Sequence, residues 1–438
     1  MAEYSGEQVA GPGAAPQRRR SGYRWTIAAL LFGAATVNYV DRQVISVLAP
    51  TLTRELHWSE ADYGAIISWW SIAYGLGAVL VGRLMDRIGV RRGLTLAVGT
   101  WSLAAMAHAL VRTVAGFSVV RAVLGVAESG NFPAAVKAIA EWFPKRERAL
   151  AFGIFNAGPN VAVVVAALLV PWVTLALGWR WAFVATGTLD LVWLALWVLI
   201  YREPGAHRRV TPEELALIRS DPIESTAPLP WRNLWLRRQT LAFVVGKVLT
   251  DPVWFFYIFW LPKFLDARFG VKLAGLPLPL IVIYSAASAG SIAGGWASGS
   301  LIKRGWSVNR SRKLTMLVAA LAIVPTILAP LAASLWVAVG IVAVAATAHQ
   351  WWSTNLQTLP SDLYPTQAVA SVTGIGLFAS MTASFLFQRA TGDILQITHG
   401  NYMPVFAVLG FLYVAALLLI HLLVPRLEPA RLAAPAAA

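Results

Sequence analysis

Residues 82–92 read Gly-Arg-Leu-Met-Asp-Arg-Ile-Gly-Val-Arg-Arg, a cationic stretch between two long apolar runs. The runs begin near Asp62 and Gly93, and each is long enough for a membrane-spanning helix of about 20 residues. Glycine permits a tight turn between two such helices, and an arginine-rich loop is typical of the cytoplasmic side of a membrane. The stretch therefore predicts a helical hairpin that crosses a membrane twice.

The composition indicates that most of the chain lies in a membrane. Of the 438 residues, 58% are hydrophobic and only 13% are charged, which is about half the charged share of a typical soluble domain. A soluble protein of this length could not bury so much apolar surface, and a disordered chain carries far less of it. The chain has no cysteine, which excludes disulfides, thiol catalysis and thiolate metal sites.

Apolar runs of helical length recur twelve times, so we predict an all-α membrane protein with twelve transmembrane helices. The ten further runs begin near Trp25, Ala115, Ala149, Arg180, Thr240, Leu276, Leu314, Leu335, Ala368 and Tyr402. The alternation of polar and apolar residues over about ten positions that marks a membrane β-barrel is absent from the sequence.

The net charge of +15 follows the loops between the predicted helices. Arginine and lysine cluster before the first helix and in every second loop, at 18–24, 83–92, 145–148, 202–238 and 303–313. This alternation predicts that both chain termini face the cytoplasm, and it argues against a nucleic-acid-binding patch. Residues 1–24 and 426–438 are expected to be cytoplasmic tails. The first is expected to be disordered and lacks the pattern of a signal peptide, and Leu427–Ala438 of the second is expected to be disordered as well.

An internal repeat divides the chain. Glu141-Trp-Phe-Pro144 corresponds to Asp362-Leu-Tyr-Pro365, and a glycine follows nine residues after the proline in both halves. The offset is 221 residues, and both strings lie between the fourth and fifth helix of their half. Duplicated halves with a site between them are typical of transporters. We therefore predict six-helix bundles at 25–201 and 239–425, joined by a cytoplasmic segment at 202–238.

The opening stretch fits the pattern G-x-x-x-D-R-x-G-x-R-R and resembles the signature loop of the major facilitator superfamily. The matching positions are Gly82, Asp86, Arg87, Gly89, Arg91 and Arg92. In such a loop, Asp86 can face a helix N-terminus or pair with an arginine across the interface between the halves. The resemblance implies two pseudo-symmetric six-helix bundles and a loop that takes part in the conformational change.

Four further strings indicate a closer resemblance within that superfamily. They read Asn38-Tyr-Val-Asp-Arg42, Arg121 with Glu128, Thr250-Asp-Pro-Val-Trp-Phe-Phe-Tyr-Ile-Phe-Trp-Leu-Pro-Lys263, and Ala348-His-Gln-Trp-Trp-Ser-Thr-Asn355. Together they look like the anion:cation symporter family, and within it the bacterial hexuronate transporters. The resemblance covers the chain from Trp25 to about Val424 and implies proton-coupled uptake of a sugar acid such as galacturonate or glucuronate.

Four charged residues fall inside predicted spans 1 and 4, where each costs about 2.5–3.5 kcal/mol and needs a partner or a function. Asp41 and Arg42 point about 100° apart on their helix, whereas Arg121 and Glu128 are seven residues apart and share one helix face. The four could form one buried network, either structural or functional. By the resemblance, Asp41 and Glu128 carry the coupling proton.

Arg42 suits the substrate carboxylate, because a guanidinium binds it with two parallel hydrogen bonds. Competition between the substrate and a carboxylate of the protein for this arginine would couple substrate binding to proton binding. Arg121 is expected mainly as a network partner, with direct substrate contact as the alternative. Lys247 and Asp251 have i,i+4 spacing and are expected to pair, with substrate contact by Lys247 as the alternative.

Sugar hydroxyls need neutral donors and acceptors, which polar side chains at similar predicted depth provide. The candidates are Tyr39, Tyr74, Asn156, Asn160, Tyr257, Tyr284, His349, Gln350 and Asn355. Hydrogen bonding between helices is the competing explanation for each of them.

These features predict a secondary importer in a bacterial inner membrane rather than an enzyme. The sequence has no P-loop, metal-ligand cluster or nucleophile pattern, so we expect no cofactor and a proton gradient as the driving force. The expected partners are a small anionic substrate, a proton and the lipid bilayer, with a monomeric state and no obligate protein partner. Two alternatives stay open: symport of another organic anion (an aldonate, an aldarate or a small carboxylate), and a transporter-like membrane sensor.

Overall fold

The computed structural model describes residues 22–220, 234–364, 366–428 and 430, and within these ranges it contains helices and loops but no β-strand. The first half forms α1 (Tyr23–Glu55), α2 (Glu60–Ala107), α3 (Val114–Glu128), α4 (Asn131–Trp142), α5 (Lys145–Leu177) and α6 (Trp179–Ile200). A short helix, α7 (Pro212–Ile218), follows. The second half forms α8 (Arg238–Phe269), α9 (Pro277–Lys303), α10 (Val308–Ile323), α11 (Leu335–Leu363), α12 (Thr366–Ile397) and α13 (Met403–Leu423). The predicted tails lie mostly outside the described ranges.

These helices make the twelve predicted crossings, and the predicted fold class is confirmed. Helix α2 supplies two crossings, because Gly89 (φ 80°, ψ 161°) interrupts an otherwise continuous helix. Helices α3 and α4 together supply one crossing, and α10 is extended by a 3-10 segment at Val324–Leu331, where Pro325 and Pro330 lack the amide hydrogens that an α-helix needs. On length and composition alone, eight described segments are apolar enough to cross a membrane.

Large apolar side chains cover the outer surface of the helices. Examples are Leu103 (64% exposed), Trp172 (69%), Trp296 (71%) and Leu422 (64%). In water such a surface would be unfavourable, whereas lipid chains solvate it well. The exposed residues therefore mark the lipid-facing side, and the polar residues described below lie inside.

The helices pack as two bundles, α1–α6 and α8–α13. Contacts between the bundles are made mainly by α2 with α12, α1 with α8, and α5 with α9. Helix α1 begins, and α6 and α13 end, on one side of the membrane, which we call the termini face. The other side, where α1 ends and α8 ends, is the opposite face.

The segment between the bundles is fastened to the start of α1. Glu214 on α7 accepts hydrogen bonds from the backbone N–H groups of Tyr23 and Arg24 at 3.3 and 3.1 Å, and it forms an ion pair with the Arg24 guanidinium at 3.1 Å. A carboxylate is favourable there, because the first amides of a helix lack backbone partners and carry partial positive charge. His207 packs beside this contact, 4.1 Å from the Tyr23 ring, and its burial lowers its pKa.

Candidate functional site

A polar cavity of about 530 Å³ lies between the bundles. On α8, which begins at the termini face, its lining runs from Lys247 to Ile258, and on α11, which ends there, from His349 to Thr358. The cavity therefore extends from the middle of the membrane towards the termini face. Eight predicted substrate-binding residues line it: Tyr39, Arg42, Tyr74, Asn156, Asn160, Tyr284, His349 and Gln350.

Arg42 forms the charged part of the wall on the first bundle. Its Nε donates to Glu128 Oε2 at 2.8 Å and its Nη2 donates to Asn38 Oδ1 at 2.8 Å. Three rings, those of Tyr39, Trp70 and Tyr74, surround the guanidinium with centroids at 4.1, 4.7 and 4.9 Å. The rings and the two acceptors hold the guanidinium in one orientation at the cavity edge.

Glu128 is fully buried behind Arg42 and bonds through one oxygen only. Oε2 accepts from Arg42 and from the Trp70 indole at 3.0 Å, while Oε1 has no hydrogen-bond partner among the described residues. The ion pair joins predicted spans 1 and 4, as a buried network of their charges requires. A carboxylate with a free oxygen beside a cavity can take up a proton without first losing its other contacts.

Arg121 does not line the cavity. It is completely buried, and its three guanidinium nitrogens have no hydrogen-bond partner in the described part of the chain. It lies between the rings of Trp70 and Phe259, whose centroids are 5.9 and 5.7 Å away. In this conformation, α8 with Phe259 separates Arg121 from the cavity, so Arg121 does not make the substrate contact that was predicted as the alternative.

Asp41 points away from the cavity although Arg42 beside it points in, as the 100° step along a helix requires. The residue is 3% exposed, and its carboxyl group faces Thr186 and Asp190 on α6. Asp190 was not among the predicted site residues. A single acidic residue in the middle of an apolar helix was the available signal for it.

The wall on the second bundle combines an aromatic pair with an ion pair. His349 stacks on Trp254 with centroids 4.9 Å apart and an angle of 5° between the rings, and its Nδ1 lies 2.5 Å from Tyr413 Oη. Lys247 and Asp251 form the expected i,i+4 pair at 2.5 Å, and both line the cavity. This bundle therefore offers a flat ring, neutral hydrogen-bonding groups and one cation whose charge is already matched.

Two other predicted ligands lie inside the second bundle. Tyr257 is fully buried with its hydroxyl 3.3 Å from Thr326 Oγ1. Asn355 donates to the backbone oxygens of Gly294 and Trp351 and lies 3.3 Å from an Arg312 nitrogen. Neither lines the cavity, so their placement favours the structural explanation: they join helices within the bundle. Residue type alone did not show on which side of its helix each of these two side chains lies.

Polar residues that were not predicted complete the lining. They are Gln43, Ser288, Ser291, Ser353, Thr354, Gln357 and Thr358. On α11, Gln350, Ser353, Thr354 and Gln357 recur at spacings of three and four, so they share one face of the helix. That spacing was the sequence signal for a polar stripe on this helix.

The cavity is closed on the opposite face by contacts between the bundles, which we call the seal. Tyr63 donates to the Phe259 carbonyl at 2.6 Å, and the ion pairs Lys263–Glu60 and Arg54–Asp266 are each 2.7 Å long. The Trp260 indole donates to Gln388 at 2.6 Å within the second bundle. The same cavity is open towards the termini face, so the structure is in a one-side-open conformation.

One bond of the seal depends on a proline. Ser46 on α1 donates to the Ile258 carbonyl on α8 at 2.5 Å. In a regular helix that carbonyl would accept from the amide four residues later, but position 262 is Pro262, which has no N–H. The proline thus leaves an acceptor available for the neighbouring bundle.

Two helices of the seal approach each other through glycines. A Cβ added to Gly64 on α2 would lie 2.8 Å from the Gln388 carbonyl oxygen and 2.9 Å from Gly392 Cα on α12. A Cβ added to Gly392 would lie 2.7 Å from the Glu60 carbonyl oxygen. All three distances are shorter than side chains tolerate, so only glycine permits this crossing.

The signature loop lies on the termini face, at the interruption of α2. Gly89 has a positive φ of 80°, Arg91 donates to the Val198 carbonyl at 2.9 Å, and Arg87 and Arg92 are exposed. Gly82 lies within α2, and the Asp86 side chain lies outside the described part of the structure. The glycine-dependent turn that the sequence predicted is therefore present at Gly89.

Within the described ranges, no group of three or more histidine, cysteine, aspartate or glutamate side chains is placed to hold a metal ion. The side chains that line the cavity offer hydrogen-bonding groups, aromatic rings and charged groups.

Comparison with known proteins adds two kinds of similarity. The family model described as Major Facilitator Superfamily matches residues 31–388. The hexuronate transporter of Escherichia coli (strain K12) is 29% identical over 400 residues, which are 90% of this chain and 92% of that protein. The galacturonate transporter of Dickeya chrysanthemi is 31% identical over 307 residues, 68% of this chain and 89% of that protein. The crystal structure of a D-xylose-proton symporter has a TM-score of 0.73 at 16% identity, covering 93% of this chain and 99% of that one, which is a likeness of fold alone.

Proposed function

Since this chain belongs to the Major Facilitator Superfamily, and is a transporter rather than an enzyme, we propose that it takes up a sugar acid together with a proton. The proposed substrate is a hexuronate, galacturonate or glucuronate, because relatives named for these sugar acids match most of the chain. The two bundles would rock about the cavity and open it to each side in turn.

The proposed membrane is the bacterial inner membrane, with the termini face towards the cytoplasm. The cations of the sequence cluster in the loops of that face, which the positive-inside rule assigns to the cytoplasm. In this orientation the cavity opens to the cytoplasm, and the conformation corresponds to substrate release.

The observation that carries the proposal is the ion pair between Arg42 and Glu128 at the cavity wall. Both cavity cations are paired, Arg42 with Glu128 and Lys247 with Asp251. Arg42 is the one suited to the substrate, because its planar guanidinium can bind a carboxylate with two parallel hydrogen bonds and an ammonium group cannot. A substrate carboxylate that binds the guanidinium with two hydrogen bonds must compete with Glu128 for the same Nε–H. One arginine shared between an acid of the protein and an anion of the substrate links the two binding events.

The coupling cycle follows from this competition. With the cavity open to the outside, Glu128 takes a proton from water, becomes neutral and no longer holds Arg42, so the substrate carboxylate binds in its place. After the bundles rock, the proton leaves Glu128 for the cytoplasm and the carboxylate returns to Arg42, which displaces the substrate. Asp41 would load and release protons in the same network, as a carboxyl group placed among Arg42, Arg121 and Asp190.

The neutral part of the lining suits the sugar ring. Asn156, Asn160 and Gln350 provide amide donors and acceptors, and the stacked rings of Trp254 and His349 provide a flat surface for the apolar face of a sugar. A volume of about 530 Å³ lies in the range of small-ligand sites, about 300–1,000 Å³. An aldonate or aldarate would meet the same groups, so substrate competition is part of the test.

The experiment is uptake of labelled galacturonate by the purified protein in liposomes, driven by an imposed pH gradient. The wild type is expected to accumulate substrate above the external concentration when the outside is acidic. Glu128→Gln is expected to retain exchange of internal for external substrate and to lose this uphill accumulation. Glu203→Gln, which changes an exposed carboxylate outside the cavity, is the control and should behave as the wild type.

Three outcomes would contradict parts of the proposal. Uphill accumulation by Glu128→Gln would exclude Glu128 as the proton carrier. Wild-type uptake without any pH response would indicate a uniporter or an exchanger. Substrate binding without uptake would indicate the membrane sensor, and stronger competition by aldonates or aldarates than by hexuronates would reassign the substrate.

A further inference from the structure

Asp190 is a buried acid for which the proposed cycle has no role. It is 1% exposed and lies halfway along α6, eleven residues after the first residue of the helix and ten before the last. An ionised carboxylate at that depth costs about 2.5–3.5 kcal/mol on insertion scales. Such a residue needs a charged partner or a proton.

The group that faces Asp190 is a second acid. Asp41 on α1 and Asp190 on α6 face each other where these two helices pack. Both carboxyl oxygens of Asp41 and Oδ2 of Asp190 are buried and have no hydrogen-bond partner among the described residues, so a proton on one carboxyl group could bond to the other. The Trp101 indole on α2 lies beside Asp190, and the Thr186 hydroxyl lies beside Asp41. An arginine would satisfy an ionised pair, but neither arginine of the network bonds to it.

The surrounding charges lie farther away and have other contacts. Arg42 on α1 directs its hydrogen bonds to Glu128 and Asn38. Arg121 on α3 makes no hydrogen bond within the described residues, and both arginines act on Asp41 only through space. His108 at the end of α2 lies near Arg121 and bonds to the Ala104 carbonyl at 2.8 Å. The two aspartates are therefore the nearest ionisable neighbours of each other.

Two carboxylates in contact inside a protein cannot both be ionised, and the pair instead holds one proton in an O–H···O⁻ hydrogen bond. We propose that Asp41 and Asp190 share one proton and act as a single carboxyl pair, and that this pair, rather than Asp41 alone, is the second proton-binding site of the transporter. The inference rests on the proposed function for its role in transport. The shared proton itself follows from the geometry and can be tested without substrate.

The charges of the buried network then balance. With one shared proton the pair carries one negative charge, and this charge and that of Glu128 offset the two arginines. A second proton taken from water by the remaining carboxylate leaves the network with one positive charge, which an anionic substrate neutralises. Release of that proton to water restores the balanced state, so no other reactant is required.

The first test uses infrared spectroscopy on the purified protein without substrate. A shared proton predicts a carboxylic-acid C=O band that persists at neutral pH and that is removed or displaced by either Asp41→Asn or Asp190→Asn. The control is Thr188→Ala on the same helix, since this exposed hydroxyl bonds only to the Val184 carbonyl. A band unchanged in Asp190→Asn would overturn the proposal. If that variant fails to fold, a band unchanged in Asp41→Asn would do so.

The second test is the pH dependence of uptake in liposomes. In Asp190→Asn an amide N–H replaces the stronger O–H donor that faces the Asp41 carboxylate. Asp41 then takes up its proton more readily, so half-maximal uptake should move to a less acidic external pH. Thr188→Ala should keep the wild-type profile, and a wild-type profile in Asp190→Asn would contradict a role in coupling. If the wild type takes up no sugar acid, the proposed function fails, and the infrared band still decides whether the pair shares a proton.

Discussion

Alanine substitutions where α2 and α12 cross, at Gly64 and Gly392, are expected to hold the transporter open on the opposite face. A methyl group on Gly64 would lie 2.8 Å from the Gln388 carbonyl oxygen, whereas ordinary contacts begin at 3.4 Å. The backbones must therefore separate by about 0.6 Å, and the atoms in the way are backbone atoms that cannot rotate aside. Gly392→Ala meets the same obstacle from the other helix, at the Glu60 carbonyl oxygen.

The strain acts on one conformation only, because this crossing must open when the cavity opens to the opposite face. Overpacking of this kind costs about 1–3 kcal/mol. Applied to a two-state equilibrium, that energy shifts the ratio of the two conformations about 5- to 150-fold. We expect Gly64→Ala and Gly392→Ala to favour the conformation that is open on the opposite face, and to slow uptake.

The assay is the distance between two spin labels, which the absence of native cysteine makes practical. Leu110→Cys on the first bundle and Ala274→Cys on the second place both labels at exposed positions on the opposite face. The longer distance should gain population in both glycine variants. Gly340→Ala on α11 is the control, because nothing lies within 4 Å of its added methyl group. An unchanged distance distribution in Gly64→Ala and Gly392→Ala would refute the reasoning.

Three other predictions concern single residues. Arg42→Lys keeps the charge but loses the planar group that bonds Glu128 and Asn38 together, so the KM for uptake should rise about tenfold or more; an unchanged KM would contradict the assigned role. Asn355→Leu should lower the melting temperature, because a buried acceptor or donor left unpaired costs about 1–3 kcal/mol, while substrate affinity measured by calorimetry stays the same. His207 accepts a hydrogen bond from the Arg209 amide at Nδ1, and its lowered pKa means that the folded segment prefers the neutral ring. Its contribution should therefore be complete above about pH 6.5 and should be lost as the pH falls from there through the lowered pKa of the folded state, seen as faster amide exchange over residues 207–218. His207→Gln should remove this pH dependence.

The fold was predictable because lipid imposes a strong pattern on sequence. Each crossing needs about 20 apolar residues, so the twelve starts could be read from the sequence. The interruption of α2 was also predictable, since Gly89 stands within a cationic loop. The break between α3 and α4 was not, because Ser129 and Gly130 keep right-handed helical angles and leave no mark in the apolar pattern.

The charged residues of the site were predictable from the sequence. The neutral polar residues were less so, because their role depends on which side of the helix they occupy. Arg42 and Glu128 are costly in lipid, so their position alone indicated a network, and the structure joins them at 2.8 Å. Tyr257 and Asn355 are polar residues of a kind that serves equally well between helices, and only the angle about the helix axis separates the two uses. Asp190 could not be predicted because its partner, Asp41, is 149 residues away in the sequence. The partner is also acidic, and a charge pattern in a sequence indicates a contact only between opposite charges.

The bond from Ser46 to the Ile258 carbonyl has a consequence for the evolution of the seal. Because Ile258 contributes through its main chain, its own side chain can drift without changing the bond. The acceptor exists because Pro262 stands four residues later, and the donor exists because position 46 carries a hydroxyl. Covariation is therefore expected between positions 46 and 262 and not with position 258, so that the residue in direct contact leaves no record of this bond in an alignment.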